Sequence, residues 1–240
     1  DQNSGEAMLR LVKTYRIEPG SYELRTDLEA VNLSEQPLKI KMQLRGPGGL
    51  TREEERQDTR KVITAYREEQ EVQTESLMST EIRRLERIQI RPEQGLGAML
   101  RGLFTGSEDP EQKLRQALKQ DDESVLWAAS TNKYFAAIVR PETVDMVFAQ
   151  ASFYDADLLD DRPAEQAGAT FLLETEPLQL APAGADGARR SLQLNTFLGP
   201  KDKEIFENND TYRTLQYFLT IDFRGCCCPV SLIAPLAFGV

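Results

Sequence analysis

The residues of this chain most capable of chemistry are its carboxylates. Asp121-Asp122-Glu123 run consecutively, and Asp155, Asp157, Asp160 and Asp161 crowd a second short segment. A glycoside hydrolase needs two carboxylates facing each other across a sugar, usually from separate strands. Sequence neighbours in turn-like segments are instead solvated loop charges. A calcium loop of the EF-hand type needs a central glycine and a terminal glutamate, and here Leu158-Leu159 stand in the middle. Phosphate loops of the GxxxxGK(S/T) or GxGxxG type are missing, since Gly95-Leu96-Gly97 has no third glycine at the required place. The three cysteines are consecutive, Cys226-Cys227-Cys228. Neighbouring cysteines rarely satisfy disulfide geometry, and three adjacent side chains cannot all point at one ion in ordinary strand or helix geometry, so they read as small apolar side chains. The chain contains no histidine. That excludes Ser-His-Asp and Cys-His sites, histidine-ligated metals and a histidine general base. No catalytic residue, metal ligand or cofactor-binding residue is assigned, and no cofactor is expected.

The 240 residues make one large domain or two small ones, and 40% hydrophobic residues are ample for a core. Lys+Arg 29 against Asp+Glu 39 gives a formal charge of -10, a surface that repels a phosphate backbone, so no nucleic-acid role is expected. The sequence begins at Asp1 without Met or a signal-peptide pattern and reads as a fragment or processed form. After Arg224 no charge appears through Val240, and Pro229 and Pro235 interrupt this apolar run. A membrane-spanning helix needs about 20 apolar residues. A buried C-terminal strand with turns and the leading edge of a membrane segment both fit.

The elements that must position any site are mostly strands. Leu38, Ile40, Met42 and Leu44 alternate with Lys39, Lys41, Gln43 and Arg45, a period of two that predicts one half-buried strand ended by Gly46-Pro47-Gly48-Gly49. Val31 and Leu33 fall on the opposite parity from Leu28, which predicts a bulge or a register change near Ala30. Residues 51–60 read as a solvated loop, and Ile82, Leu85, Ile88 and Ile90 fit helix or strand. Asp109, Pro110 and Gln112 form a capping pattern for a helix from Pro110 to Gln120. Residues 125–141 hold the only tryptophan, Trp127, and their second half reads as a central strand. Further strands are expected around Val144/Met146/Phe148, Phe171/Leu173, Leu178/Leu180 and Leu192/Leu194, with a loop tip over 181–188. Residues 201–219 are helix-compatible. Strands spaced by turns, without internal repeat or Pro/Ser-rich linker, predict a mainly β fold: one large β-sandwich with a C-terminal helical appendage.

Several segments together resemble the large periplasmic domain of the YidC membrane protein insertases of the YidC/Oxa/Alb family. They are Leu11-Val12-Lys13-Thr14-Tyr15, Pro19-Gly20-Ser21-Tyr22, Asn32-Leu33-Ser34, and Arg45-Gly46-Pro47-Gly48-Gly49-Leu50. Trp127-Ala128 through Asn132-Lys133-Tyr134-Phe135-Ala136 to Pro141, Phe197-Leu198-Gly199-Pro200-Lys201, and Phe218 through Ile221-Asp222-Phe223-Arg224-Gly225 complete the set in the family's order. Three features depart from the pattern: an apparent insertion over 92–120, the Cys226–Pro229 run in place of aromatic-rich residues, and an interposed Arg224.

The resemblance implies a twisted β-sandwich, or supersandwich, of mutarotase-like shape over residues 1–200. It further implies a helical linker to the membrane core over 201–225 and the start of a membrane-proximal apolar segment over 226–240. It places this part of the protein on the periplasmic side of the bacterial inner membrane, between the first and second transmembrane helices. The implied role is non-catalytic: assistance to insertion and folding of inner-membrane proteins, alone or with the Sec translocon and its SecDF accessory complex, and contact with nascent membrane proteins. Leu215, Phe218 and Leu219 are the residues expected to pack the coupling helix on the sandwich. A carbohydrate-binding sandwich is the alternative. Its catalytic form is disfavoured by the missing histidine, and its binding form needs an exposed Trp127 or exposed tyrosines.

Overall fold

The computed structural model describes residues 6–48, 50, 52, 58–68, 71–82, 125–142, 148–155 and 169–221. The strands are β1 (Leu9–Ile17), β2 (Glu23–Asn32), β3 (Leu38–Ile40), β4 (Gln43–Arg45), β5 (Lys61–Glu68), β6 (Glu71–Met78), β7 (Val125–Thr131), β8 (Phe135–Pro141), β9 (Phe148–Asp155), β10 (Ala169–Thr175), β11 (Leu178–Leu180) and β12 (Arg189–Pro200). Two short helices follow, α1 (Lys203–Glu207) and α2 (Asp210–Thr214), then a 3-10 turn over Tyr217–Thr220. The fold is mainly β, as the alternation requires.

Strand β7 is the branch point. It pairs with β5 on one side and β8 on the other, so the large sheet runs β1-β2-β12-β8-β7-β5-β6, antiparallel throughout. A single further pair, Val125 with Phe148, hands the chain on to β9, β10 and β4. These last strands lie over one face of the large sheet. Phe148, Phe171 and Leu173 pack there with Leu28, Val62, Ala128, Val139, Leu192 and Leu194. Strands β3 and β11 form a separate two-stranded ribbon.

The opposite face of the large sheet is apolar as well, because Ile63, Ala65, Ala129, Ala136, Ile138 and Phe197 alternate with the residues above. It is covered by the C-terminal helices. Central strands of the large sheet are therefore buried on both sides, which is why β7 and β8 read as near-continuous apolar runs. A register shift between Ala65 and Tyr66 opposite β7 leaves Leu126 unpaired, and both Leu126 and Trp127 join the helix-covered face.

Three expectations are corrected. The strand expected over 38–45 is two strands, β3 and β4, divided at Lys41-Met42, although the alternation of half-buried and exposed side chains continues through the break. Thr175 causes the division. Its hydroxyl accepts from the Met42 amide at 3.1 Å while its own amide donates to the Met42 carbonyl at 3.0 Å. No bulge occurs at Ala30, because β2 keeps an unbroken register with both β1 and β12. Val31 is buried beside Ala30 because the end of β2 is covered on both faces. The single helix expected over 201–219 is three short turns that change direction twice. The helix at 110–120, most of 51–60, all of 83–124 and 222–240 with Cys226–Cys228, and Val144 and Met146 of the strand expected before Phe148 lie outside the described residues.

Local residue choices are tied to these crossings. Asn132 Oδ1 accepts from the Tyr134 amide at 3.1 Å and the Phe135 amide at 2.7 Å, closing the turn between β7 and β8. Asn32 Nδ2 donates to the Gln36 and Ala181 carbonyls at 2.7 and 2.8 Å, so the end of β2 is clamped to the loop preceding β12. Gly46 lies flat against the buried Phe171. A methyl group there would meet the Phe171 ring carbons at 2.5 Å. Gly46→Ala should therefore destabilise the protein by about 1–3 kcal/mol in urea unfolding, the usual cost of overpacking a filled core. An unchanged midpoint would show that the ring can move aside.

Candidate functional site

The C-terminal helices sit on the large sheet through aromatic side chains. Asp202 caps α1, accepting from the Glu204 amide at 2.8 Å, and Asn209 caps α2, accepting from the Thr211 and Tyr212 amides at 2.9 and 3.2 Å. These two caps, seven positions apart in a segment without glycine, break what composition alone makes one helix. Gln216 then takes the left-handed conformation, with φ 53, and turns the chain into the 3-10 segment. The reversals bring Phe206, Tyr212 and Tyr217 down onto one place in the sheet, all but fully buried.

Phe197 of β12 is the centre of this cluster. Its ring centroid is 5.4 Å from Phe206 and Tyr212, 5.8 Å from Tyr22 and 6.2 Å from Tyr217. Most of these pairs meet edge to face, which suits the ring quadrupoles; Tyr212 and Tyr217 stack at 4.9 Å. Gly199 makes room for them. A methyl at that position would lie 2.8 Å from both Phe197 Cζ and Tyr22 Cδ1. Trp127, fully buried in β7, meets Tyr217 at 5.7 Å and donates from Nε1 to the Leu215 carbonyl at 2.8 Å. That carbonyl lies just past the end of α2, where helix geometry supplies no partner, so the indole caps the helix from the sheet side.

A polar set lies under the same helices. Arg140 of β8 pairs with Glu23 of β2 at 3.1 Å, with side chains 11% and 17% exposed. Asn195 stands beside Arg140 on β12 and is buried. Among the described residues, Arg140 Nε, Asn195 Oδ1 and the Tyr217 hydroxyl meet no hydrogen-bond partner. Burial pushes the Tyr217 hydroxyl well above the ordinary phenol range, with Arg140 opposing. Burial also raises Tyr212, and the Glu23 carboxylate raises it further. Both tyrosines are neutral phenols at physiological pH. The chemistry available is hydrogen bonding and packing between helices and sheet.

Leu215, Phe218 and Leu219 are half-buried against this cluster. The deeper anchors Phe206, Tyr212 and Tyr217 are spaced six and five residues apart, which fits no single helical face, so a one-helix reading passes over the tyrosines. Trp127 is a core residue with its indole N–H already bonded, and it offers no surface on which a sugar could stack. Of the acidic groups named from sequence, Asp121–Glu123, Asp157, Asp160 and Asp161 lie outside the described residues. Among the described residues no cluster of acidic and cysteine side chains is arranged to hold a metal ion. No helix among them is long and apolar enough to cross a membrane.

No curated protein matches the chain. The family model of the YidC periplasmic domain matches residues 2–224, almost the whole sequence and every element described above. With that match and a mainly β sandwich closed by short C-terminal helices, the chain belongs to the YidC periplasmic domain family, a non-catalytic part of a membrane protein insertase on the periplasmic face of the inner membrane.

Proposed function

We propose that this domain assists insertion and folding of inner-membrane proteins by docking partners and by coupling the sandwich to the membrane core through its C-terminal helical segment. The sandwich spans residues 1–200, the linker 201–225, and a membrane-proximal apolar segment begins at 226–240. The partners are the Sec translocon with its SecDF accessory complex and nascent membrane proteins emerging on the periplasmic side. The observation that carries the coupling role is the bond from Trp127 Nε1 to the Leu215 carbonyl, together with the packing of Phe206, Tyr212 and Tyr217 on Phe197. A linker held this way moves with the sheet as one body, so displacement of either end is felt at the other.

Leu215→Asp combined with Phe218→Asp in the full-length insertase tests the reading. Each change forces a carboxylate against an apolar surface, and the pair should loosen the helical segment by about 2–4 kcal/mol. Insertion of a reporter inner-membrane protein should fall accordingly. Wild-type insertion together with wild-type thermal stability would count against the coupling role.

A further inference from the structure

Strand β1 is the outermost strand of the large sheet, hydrogen-bonded to β2 alone among the described residues. Natural sheets blunt such edges with lysine and other charges, proline, a bulge or very short length. Proline, bulge and short length are absent here, since β1 keeps nine consecutive pairs with β2, and Lys13 is the single charge on its apolar face. Its apolar side chains are open. Leu9, Leu11, Tyr15 and Ile17 are 41%, 58%, 55% and 72% exposed. They share a face with Leu28 and Ala30 of β2, whose side chains are buried between the sheets. The smaller sheet covers that face over β2 and β12 but leaves its continuation on β1 bare. The strand also carries Arg10, Lys13 and Arg16 and no acid, within a chain of formal charge -10.

We propose that the outer edge of β1 docks an extended partner segment in which apolar and acidic residues alternate, added to the large sheet as a further strand. Its backbone pairs with the outer edge of β1, its apolar side chains complete the shelf formed by Leu11, Tyr15 and Ile17, and its carboxylates, on the opposite face, meet Arg10 and Arg16 across the strands. Arg16 reaches Asp27 at 3.3 Å while staying 68% exposed, so it can turn to an incoming acid, whereas Lys13 lies over the Tyr15 ring at 5.2 Å on the apolar face. A lipid surface would also attract apolar and cationic side chains. It would leave the backbone edge unsatisfied at the apolar boundary, however, whereas a strand satisfies edge and side chains together. The proposal rests on the docking role above and gives it a second face, on the side of the sheet opposite the helices.

The test uses the 240-residue chain and a fluorescein-labelled synthetic peptide of alternating leucine or valine and glutamate, about ten residues long to match an ordinary strand. Binding should appear in anisotropy, weaken as salt rises, and protect amides within Leu9–Ile17 from hydrogen exchange. Leu11→Lys with Ile17→Lys, at two already exposed positions, should leave the unfolding midpoint unchanged and weaken binding by about tenfold or more. A peptide with lysine for every glutamate should not bind. Equal binding of that peptide, or binding without protection of β1, would overturn the proposal. So would absence of peptide binding with variant-sensitive attachment to phosphatidylglycerol vesicles (a lipid surface), or with variant-sensitive self-association (a second copy). Failure here with insertion still lost in the Leu215/Phe218 variant would remove the edge site and leave the coupling role standing.

Discussion

Phe197→Ala should cost the protein about 3–5 kcal/mol of unfolding free energy, the usual range for deleting a fully buried aromatic side chain. Phe197 is fully buried and is the one sheet residue whose ring meets Tyr22, Phe206, Tyr212 and Tyr217 together. Against a typical domain stability of about 5–15 kcal/mol, the loss is roughly a fifth or more. It should also be uneven. The face between the two sheets is built from other residues, so the helices should loosen at lower denaturant than the sheet. The lone tryptophan reports this directly, because Trp127 lies against Tyr217 and bonds to Leu215. Its emission should move to longer wavelength in the variant before the β signal in circular dichroism is lost. Phe197→Leu, which retains most of the volume, should cost about 1 kcal/mol. A Phe197→Ala protein unfolding within about 1 kcal/mol of wild type would show that the aromatic cluster is not what holds the helices.

The second large effect concerns the ion pair beneath the same helices. Removing one partner of a nearly buried pair strands the other charge, with typical costs of about 3–5 kcal/mol. Glu23→Gln should fall at the lower end, about 3 kcal/mol, because the side chains keep 11% and 17% exposure and water can partly reach Arg140. Replacing both, with Glu23→Leu and Arg140→Met, should recover most of the loss, since two apolar side chains need no compensation. Tyr212 supplies an independent readout. The Glu23 charge raises its hydroxyl, so in Glu23→Gln the phenol should ionise at lower pH than in the wild type. Single and double variants of equal stability would mean that the pair is solvated in solution.

The strands were largely legible because burial and pleat share a period. Leu38–Arg45, Phe171/Leu173 and Leu192/Leu194 each announce one buried face, and loop 181–188 announces a turn that Gly184 and Gly187 complete with positive φ. The candidate site was legible only in part. Leu215, Phe218 and Leu219 stand out as apolar positions in a helix-compatible stretch, whereas Tyr212 and Tyr217 look like ordinary surface tyrosines. Glu23, Arg140 and Asn195 lie on three strands far apart in sequence, and nothing local to any of them signals that they meet.

By itself, the amino-acid sequence determined the mainly β character, the exclusion of histidine chemistry, and the ordered motifs that place the chain in its family. All of these are carried by residue type and short-range spacing, which act before the chain folds. Tertiary structure alone decided that Leu38–Arg45 divides between a ribbon and a sheet, that residues 203–220 form three turns, and that Trp127 is buried. Each of those outcomes depends on a partner supplied from elsewhere in the chain: Thr175 for Met42, Phe197 for the tyrosines, and the Leu215 carbonyl for the indole. A long-range contact leaves no periodic mark on either of the segments that make it, because its energy exists only once the two have been brought together.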